Sequence, residues 1–194
     1  MQLVSGHLKG LLSFSGREGR KPFWIWAALN LVLSMAMMAA VMVPTMMDMF
    51  SRIERFADEH PEQVTRTYGP GSYSIRIEGD HPELMPDFSS MIGWIGLGTM
   101  LSVILLAAAV VRRLHDSGRS GVWGLLPLPF LTAGMVMMPR LFDQFADGPE
   151  PDLGMFFALF LNNLAYLAAL GVLIVLLALR GTPGENRFGP PPAD

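Results

Sequence analysis

Three short polar strings are the places where this sequence could do chemistry, because each sets cationic or ionisable side chains beside glycine. Residues 14–24 contain two arginines, residues 112–123 place a histidine and an aspartate among three arginines, and residues 181–190 join an asparagine to an arginine. Guanidinium groups bind phosphate and carboxylate through paired hydrogen bonds, so converging strings would form an anion site. The candidate residues are Arg17, Arg20, Arg112, Arg113, His115, Asp116, Arg119, Asn186 and Arg187.

The adjacent His115 and Asp116 also suggest catalysis, in which the carboxylate orients the imidazole as a general base. Neighbouring side chains seldom face each other, however, and only Ser117 and Ser120 accompany them as hydroxyl nucleophiles. We therefore name no catalytic residue. The pattern favours a structural latch, in which Asp116 pairs with a nearby arginine, over an anion or lipid-head-group site, and it favours either of these over catalysis.

Metal and cofactor chemistry has little support in the sequence. The chain has no cysteine, which excludes disulfides, thiolate nucleophiles, zinc ribbons and iron–sulfur clusters. His60 and His81 lie among acidic residues, but no ligands at helical i, i+4 spacing accompany them. We expect neither a metal site nor a cofactor.

The elements that must position the strings are apolar. Only 16% of the residues are charged, against roughly 25% in a soluble domain. A helix needs about 20 apolar residues to cross a bilayer, and four runs of 20 to 27 residues contain no Asp, Glu, Lys or Arg. The sequence therefore predicts an all-α integral membrane protein and excludes a soluble globular, nucleic-acid-binding or disordered chain. Its single domain, 1–194, has four transmembrane helices at about 23–47, 89–111, 122–139 and 153–179.

Basic residues concentrate in alternate segments of the chain. Three segments, 1–21, 112–119 and 180–194, together carry nine basic and four acidic residues. The other two, 48–87 and 140–152, carry five basic and thirteen acidic residues. Because basic residues near membrane ends stay in the cytoplasm, this alternation predicts that both termini are cytoplasmic.

The third apolar run is the weakest of the four. Pro127, Pro129 and Pro139 lie in it, and proline inside a helix removes a hydrogen bond. A re-entrant hairpin is therefore an alternative to a full span. It would place the C-terminus outside, against the evidence of Arg180 and Arg187.

The outer segment, 48–87, is too long for a simple turn, and we expect it to form a small extracytoplasmic cap. Apolar residues at helical spacing in 48–60 predict that the first span continues as a helix above the membrane. Residues 73–77 alternate as in a short strand. Near the N-terminus, leucines at helical spacing indicate a short amphipathic helix on the membrane surface.

The three strings resemble the motifs of a bacterial inner-membrane family known as domain of unknown function 805. In that family G-R-x-x-R-x-x-[FYW]-W precedes the first span, R-R-[LF]-H-D-x-G-x-S-G lies between later spans, and P-G-x-x-x-x-N-x-[FY]-G lies near the C-terminus. The matching residues here are 16–24, 112–121 and, in a shortened form, 183–189. The resemblance implies a multi-pass protein of the bacterial inner membrane but no established activity. The outer segment of this chain, 48–87, is longer than in many relatives, so the resemblance implies no role for that segment.

We expect a non-enzymatic membrane component that binds anionic lipid head groups, or a partner membrane protein, through the arginine-rich patch. The alternative is a small membrane enzyme or transporter accessory that acts on a phosphate-bearing lipid or another anionic substrate, with His115 and Asp116 in acid–base roles. The apolar runs lack ionisable groups, which disfavours a channel or a proton-coupled transporter. Their amides, Asn30, Asn162 and Asn163, are expected to hydrogen-bond across helices. Expected partners are membrane lipids and either another membrane protein or further copies of this chain, without nucleic acid.

Overall fold

The computed structural model describes residues 2–147 and 153–192. Five α-helices and one two-stranded hairpin make up most of this part of the chain. They are α1 (Gln2–Lys9), α2 (Arg20–Glu59), β1 (Val64–Gly69), β2 (Ser72–Ile77), α3 (Phe88–Asp116), α4 (Leu128–Asp147) and α5 (Leu153–Ala178). Three short 3₁₀ helices, Pro61–Gln63, Pro82–Leu84 and Gly121–Leu125, link them. The segments containing α2 to α5 are long and apolar enough to cross a membrane, which confirms the predicted all-α, four-span class.

The helices expose large apolar side chains along most of their length. Val32 on α2, Leu101 on α3 and Leu161 on α5 are all exposed, although an exposed apolar stripe of this length would be unfavourable in water. In a bilayer the same side chains face lipid tails that are as apolar as they are. The exposed surface of the bundle is therefore its lipid-facing surface.

The packed core lies at one end of the bundle. Phe23 at the start of α2, Leu114 at the end of α3 and Leu177 at the end of α5 belong to one buried cluster. Between α2 and α3, the indole Nε1 of Trp26 donates to the carbonyl of Leu105 at 3.0 Å. This cluster fixes the three helix ends that carry the polar strings.

Polar side chains join the helices at lipid depth in only some of the expected places. The hydroxyls of Ser34 on α2 and Ser102 on α3 share a hydrogen bond of 2.6 Å. Asn162 on α5 donates to the carbonyl of Phe130 on α4 at 2.9 Å. By contrast, Oδ1 of Asn30 is buried without a partner among the described residues. The expectation of hydrogen bonds across helices therefore holds for Asn162 and not for every amide.

The third span consists of a short 3₁₀ helix followed by the α-helix α4, and it does not form a re-entrant hairpin. The 3₁₀ helix Gly121–Leu125 comes first, and α4 then runs for 20 residues, about 30 Å. Pro129 lies in the first turn of α4, where a missing N–H group costs nothing. Pro139 alone lies inside the helix.

The outer segment forms a cap built on the extended end of α2. Strands β1 and β2 pair antiparallel, with Tyr68 opposite Tyr73. The alternation in residues 73–77 predicted β2, whereas β1 was not predicted. The ring of His81 packs against Phe56 of α2 with 4.4 Å between ring centroids. A hydrogen bond to Glu83 raises the pKa of His81 above its ordinary value.

Candidate functional site

The three polar strings converge on the carboxylate of Asp116, the last residue of α3. One oxygen, Oδ1, accepts from Nε of Arg17 at 3.1 Å and from Nη2 of Arg17 at 2.9 Å. The other, Oδ2, accepts from Nη1 of Arg113, one helical turn earlier. Asp116 is only 4% exposed, so both of its oxygens are used inside the protein.

Arg17 ties the N-terminal segment to the C-terminal segment. Besides Asp116, its guanidinium donates to the carbonyls of Thr182 at 2.7 Å, Gly184 at 2.6 Å and Gly189 at 3.3 Å. All three nitrogens of the group donate, and its side chain is 1% exposed. The first and third polar strings are therefore held together by one buried side chain.

Arg113 caps the C-terminal end of α5. Its Nε donates to the carbonyl of Leu177 at 2.9 Å, and its Nη2 donates to the carbonyl of Leu179. The last carbonyls of a helix lack partners within the helix and carry partial negative charge, which suits a cation. A third bond, from Nη1 to the carbonyl of Glu18 at 3.3 Å, joins this end to the first string. Arg113 has no exposed surface.

Glu18 forms a second buried centre beside the first. Its Oε2 accepts from Nε of Arg112 at 2.9 Å and pairs with Nη2 at 2.8 Å. Its Oε1 shares a hydrogen bond of 2.6 Å with Nε2 of His7, whose ring stacks on Trp26. Arg112 also donates to the carbonyls of residues 10 and 13, so it fastens the turn that follows α1.

We call this set of mutually paired charged side chains the ionic network. Its members are Arg17, Glu18, Arg112, Arg113 and Asp116. Glu18 was not among the residues predicted from the sequence, although an acid between two arginines in the first string was a usable signal. His7 was not predicted either, because no motif marks it.

His115 and Asp116 do not form an acid–base pair, because their side chains have different partners. The imidazole Nδ1 of His115 shares a 3.2 Å hydrogen bond with the carbonyl of Gly16. Its ring stacks on Phe188 with 3.8 Å between centroids and 4° between planes. The guanidinium of Arg187 lies 4.6 Å from the centre of the same phenyl ring. His115 therefore attaches the C-terminal segment to α3.

Asn186 shapes the C-terminal turn that Arg17 and His115 hold. Its Nδ2 donates to the carbonyl of His115 at 3.0 Å and to Oγ1 of Thr182 at 2.8 Å. Its Oδ1 accepts from the backbone N–H of Phe188 at 2.9 Å. The turn ends at Gly189, whose φ of +120° is a left-handed value that favours glycine.

The remaining candidates lie outside the network. Arg20 and Arg187 are exposed, and Arg119 is partly exposed and donates to the carbonyl of Ser117 within its own loop. The arginine candidates therefore separate into three with little exposed side-chain surface, Arg17, Arg112 and Arg113, and three that are more accessible. We call these three, together with three further exposed basic residues at the same end of the bundle, the basic collar, which consists of Lys9, Arg20, Lys21, Arg119, Arg180 and Arg187. Within residues 2–147 and 153–192, no collar side chain lies within 4.0 Å of a carboxylate oxygen.

The arrangement has a clear chemical consequence. A buried guanidinium whose N–H groups already donate to carboxylates and carbonyls has little capacity left for a ligand anion. The collar cations, by contrast, face the surface at the same end of the bundle. In the described part of the chain, no three His, Asp or Glu side chains are placed to hold a metal ion.

A family model described as protein of unknown function (DUF805) matches residues 11–190, which is nearly the whole chain. The match spans all three polar strings and the four long helices. Comparison with curated proteins and with solved structures gives no match.

The network predicts that Asp116→Asn strongly destabilises the protein. The amide keeps the shape of the side chain but leaves Arg17 and Arg113 buried without their counter-ion. Breaking a buried ion pair in this way costs roughly 3–5 kcal/mol. The measurement is the free energy of unfolding of the purified protein in mixed detergent–SDS micelles.

The control is Asp48→Asn, which removes the half-exposed pair between Asp48 and Arg52 on α2. We expect it to cost less than about 1 kcal/mol. If the two substitutions lowered the free energy of unfolding equally, the buried ion pairs of Asp116 would contribute no more than the exposed pair.

Gly181→Ala tests how closely the C-terminal segment approaches Asp116. A Cβ atom at this position would lie 2.7 Å from Cγ of Asp116, closer than packed atoms allow. Overpacking of this kind costs roughly 1–3 kcal/mol, so we expect the Tm to fall by several degrees. Gly171→Ala on α5 is the control, because a Cβ there meets nothing within 4 Å. An unchanged Tm for Gly181→Ala would contradict the contact.

Proposed function

We propose that this chain, which belongs to the family of proteins of unknown function DUF805, is a non-enzymatic component of the bacterial inner membrane that binds anionic lipid head groups through its basic collar. The four apolar helices make it a multi-pass membrane protein. The ionic network holds the collar in place, and the collar meets the lipid.

One observation carries the proposal. On the collar side, the acids Glu18 and Asp116 are already paired with arginines of the ionic network. Among the described residues, exposed cations such as Arg20 and Arg187 have no carboxylate oxygen within 4.0 Å. A surface of this kind attracts anions, and phospholipid head groups are the anions always present at a membrane surface.

The positions of the collar cations suit head groups at the membrane interface. Arg20 and Lys21 open α2, and Arg180 follows the end of α5. Each Lys or Arg near an anionic surface contributes about 1 kcal/mol of attraction. Several such residues around one end of a bundle therefore favour anionic over zwitterionic lipids.

An apolar cavity lined in part by the first two polar strings offers space for part of an acyl chain. It has a volume of about 260 Å³ and lies between α3, the 3₁₀ helix Gly121–Leu125, the start of α4 and α5. Phe14 and Gly121, which come from the first two polar strings, both line it. A lipid held by its head group at the collar would have apolar protein surface next to its chains.

The proposal includes an orientation, with the collar and both termini in the cytoplasm. The alternation of basic and acidic segments supports it, because basic residues are retained on the cytoplasmic side. The cap on the opposite end, with its excess of acidic residues, would then face away from the cytoplasm.

The separate partners of His115 and Asp116 weigh against the enzymatic alternative. In that alternative the Asp116 carboxylate would orient the imidazole, whereas Nδ1 of His115 donates to the carbonyl of Gly16 and both oxygens of Asp116 accept from arginines. No described feature favours a reaction at this site.

Lipid binding is tested by native mass spectrometry of the detergent-purified protein titrated with phosphatidylglycerol or phosphatidylcholine. We expect the wild type to prefer phosphatidylglycerol. The variant Arg20→Gln/Lys21→Gln/Arg187→Gln removes three collar charges and should bind phosphatidylglycerol at least tenfold more weakly. Its Tm should stay near that of the wild type, because these side chains lie outside the network.

The matched control removes three exposed arginines of the opposite end, as Arg52→Gln/Arg55→Gln/Arg76→Gln. It should retain the preference for phosphatidylglycerol. If the collar variant binds this lipid as tightly as the wild type, or if phosphatidylcholine binds equally well, the proposed function is wrong.

Orientation is tested with single cysteines, since the chain has none of its own. Ser15 beside the network and Ser74 in β2 are both exposed, and Ser→Cys is a small change at either site. In intact spheroplasts, a membrane-impermeant maleimide should label Ser74→Cys at once and Ser15→Cys only after permeabilisation. The reverse order of labelling would contradict the orientation.

A further inference from the structure

We propose that two copies of this chain associate through the exposed face of α5, with the Asn163 carboxamides of the two copies hydrogen-bonded to each other inside the membrane. This inference is independent of lipid binding at the collar, because it uses a different helix face at a different depth.

Helix α5 is packed on one side only. It contacts chiefly α4, with a smaller contact to α3. Its buried residues, Ala169, Leu173 and Leu177, lie in the half nearest the ionic network. The half that begins at Leu153 has an exposed face, on which Phe160 is 52% exposed.

The exposed residues of this face follow the spacing of a helix–helix seam. Leu153, Phe156, Phe160, Asn163 and Leu167 are separated alternately by three and four residues. This is the a/d pattern of a heptad repeat, in which side chains insert between those of a facing helix. A groove of about 300 Å³ lies beside the seam, between α5 and Met138 of α4, and Asn163 lines it. The groove is a recess that a facing side chain could enter.

Asn163 is the polar member of an otherwise apolar seam. It is the eleventh residue of α5, about 16 Å from the start of the helix, which places it near the middle of the hydrocarbon layer. Its side chain is exposed, and the hydrogen bonds found among the described residues do not include one from its amide. The neighbouring Asn162 differs, because its amide already donates to the carbonyl of Phe130. An amide that faces hydrocarbon without a hydrogen-bond partner costs free energy. A polar group at the same depth that hydrogen-bonds to Asn163 would remove this cost.

A second copy supplies that group by symmetry. A twofold axis along the membrane normal places the same residue of each copy at the same depth. A carboxamide carries both N–H donors and a carbonyl acceptor, so two Asn163 side chains can donate to each other. A lipid acyl chain offers no polar partner at this depth. The apolar residues on either side of Asn163 meet their own counterparts in the same arrangement.

The test compares Asn163→Leu with Asn162→Leu in the full chain. Dimerisation is measured by Förster transfer between donor- and acceptor-labelled copies in liposomes, across a range of protein-to-lipid ratios. We expect the dimer dissociation constant of Asn163→Leu to rise roughly threefold to thirtyfold. The thermal stability of the monomer should not fall, because leucine suits a lipid-facing position.

Asn162→Leu should show the opposite behaviour, with lower thermal stability and an unchanged dissociation constant. The proposal is overturned if the wild type is monomeric at all protein-to-lipid ratios, or if Asn163→Leu dimerises as tightly as the wild type. It is also overturned if Asn163→Leu abolishes a bound phospholipid while leaving self-association unchanged, since the occupant would then be a lipid.

Discussion

The ion pairs that the carboxylate of Asp116 forms with Arg17 and Arg113 are the interaction on which the rest of this end of the molecule depends. This carboxylate accepts from Arg17 and Arg113, so it brings the N-terminal segment and the end of α3 to one point. The same two arginines donate to backbone carbonyls at the end of α5 and in the C-terminal turn. Without this anion, two cations would be buried together, and buried like charges repel strongly in a medium of low dielectric. The helix ends are therefore joined by these buried ion pairs and hydrogen bonds, and not by apolar packing alone.

The same ion pairs also determine which charged groups at this end of the bundle remain available to a ligand. Because arginines of the network pair with Glu18 and Asp116, these two acids are not available to the cations outside it. The arginines of the ionic network thus stabilise the fold, whereas the basic residues of the collar are the ones proposed to bind a ligand. The sequence motifs contain members of both sets and do not distinguish them. The apolar surface of α5 adds a third region, in which one amide at lipid depth has no partner within the described chain. Polar groups are therefore paired inside the protein in the ionic network, exposed at the membrane interface in the basic collar, and without a partner among the described residues on the surface of α5.

Much of the fold could be predicted from the sequence, because bilayer thickness and charge asymmetry leave few arrangements for four long apolar runs. The convergence of the three strings was also predictable, since all of them fall at one end of the spans. The sequence could not predict which arginines are buried, because Arg17 and Arg20 lie in the same motif and differ only in direction. It also suggested a His115–Asp116 pair, whereas in the last turn of α3 these two side chains have different hydrogen-bond partners. Strand β1 was missed because its residues, unlike those of β2, lack a clear alternation.

The central claim is that Arg17 and Asp116 stabilise the protein as a coupled pair. The most direct test is a double-mutant cycle with Arg17→Gln, Asp116→Asn and the double variant, measured as free energies of unfolding in mixed detergent–SDS micelles. The structure predicts a coupling energy of roughly 1–3 kcal/mol, so that the double variant is less destabilised than the sum of the single variants. Effects that add to within about 0.5 kcal/mol would mean that the two residues act independently, and they would contradict the account.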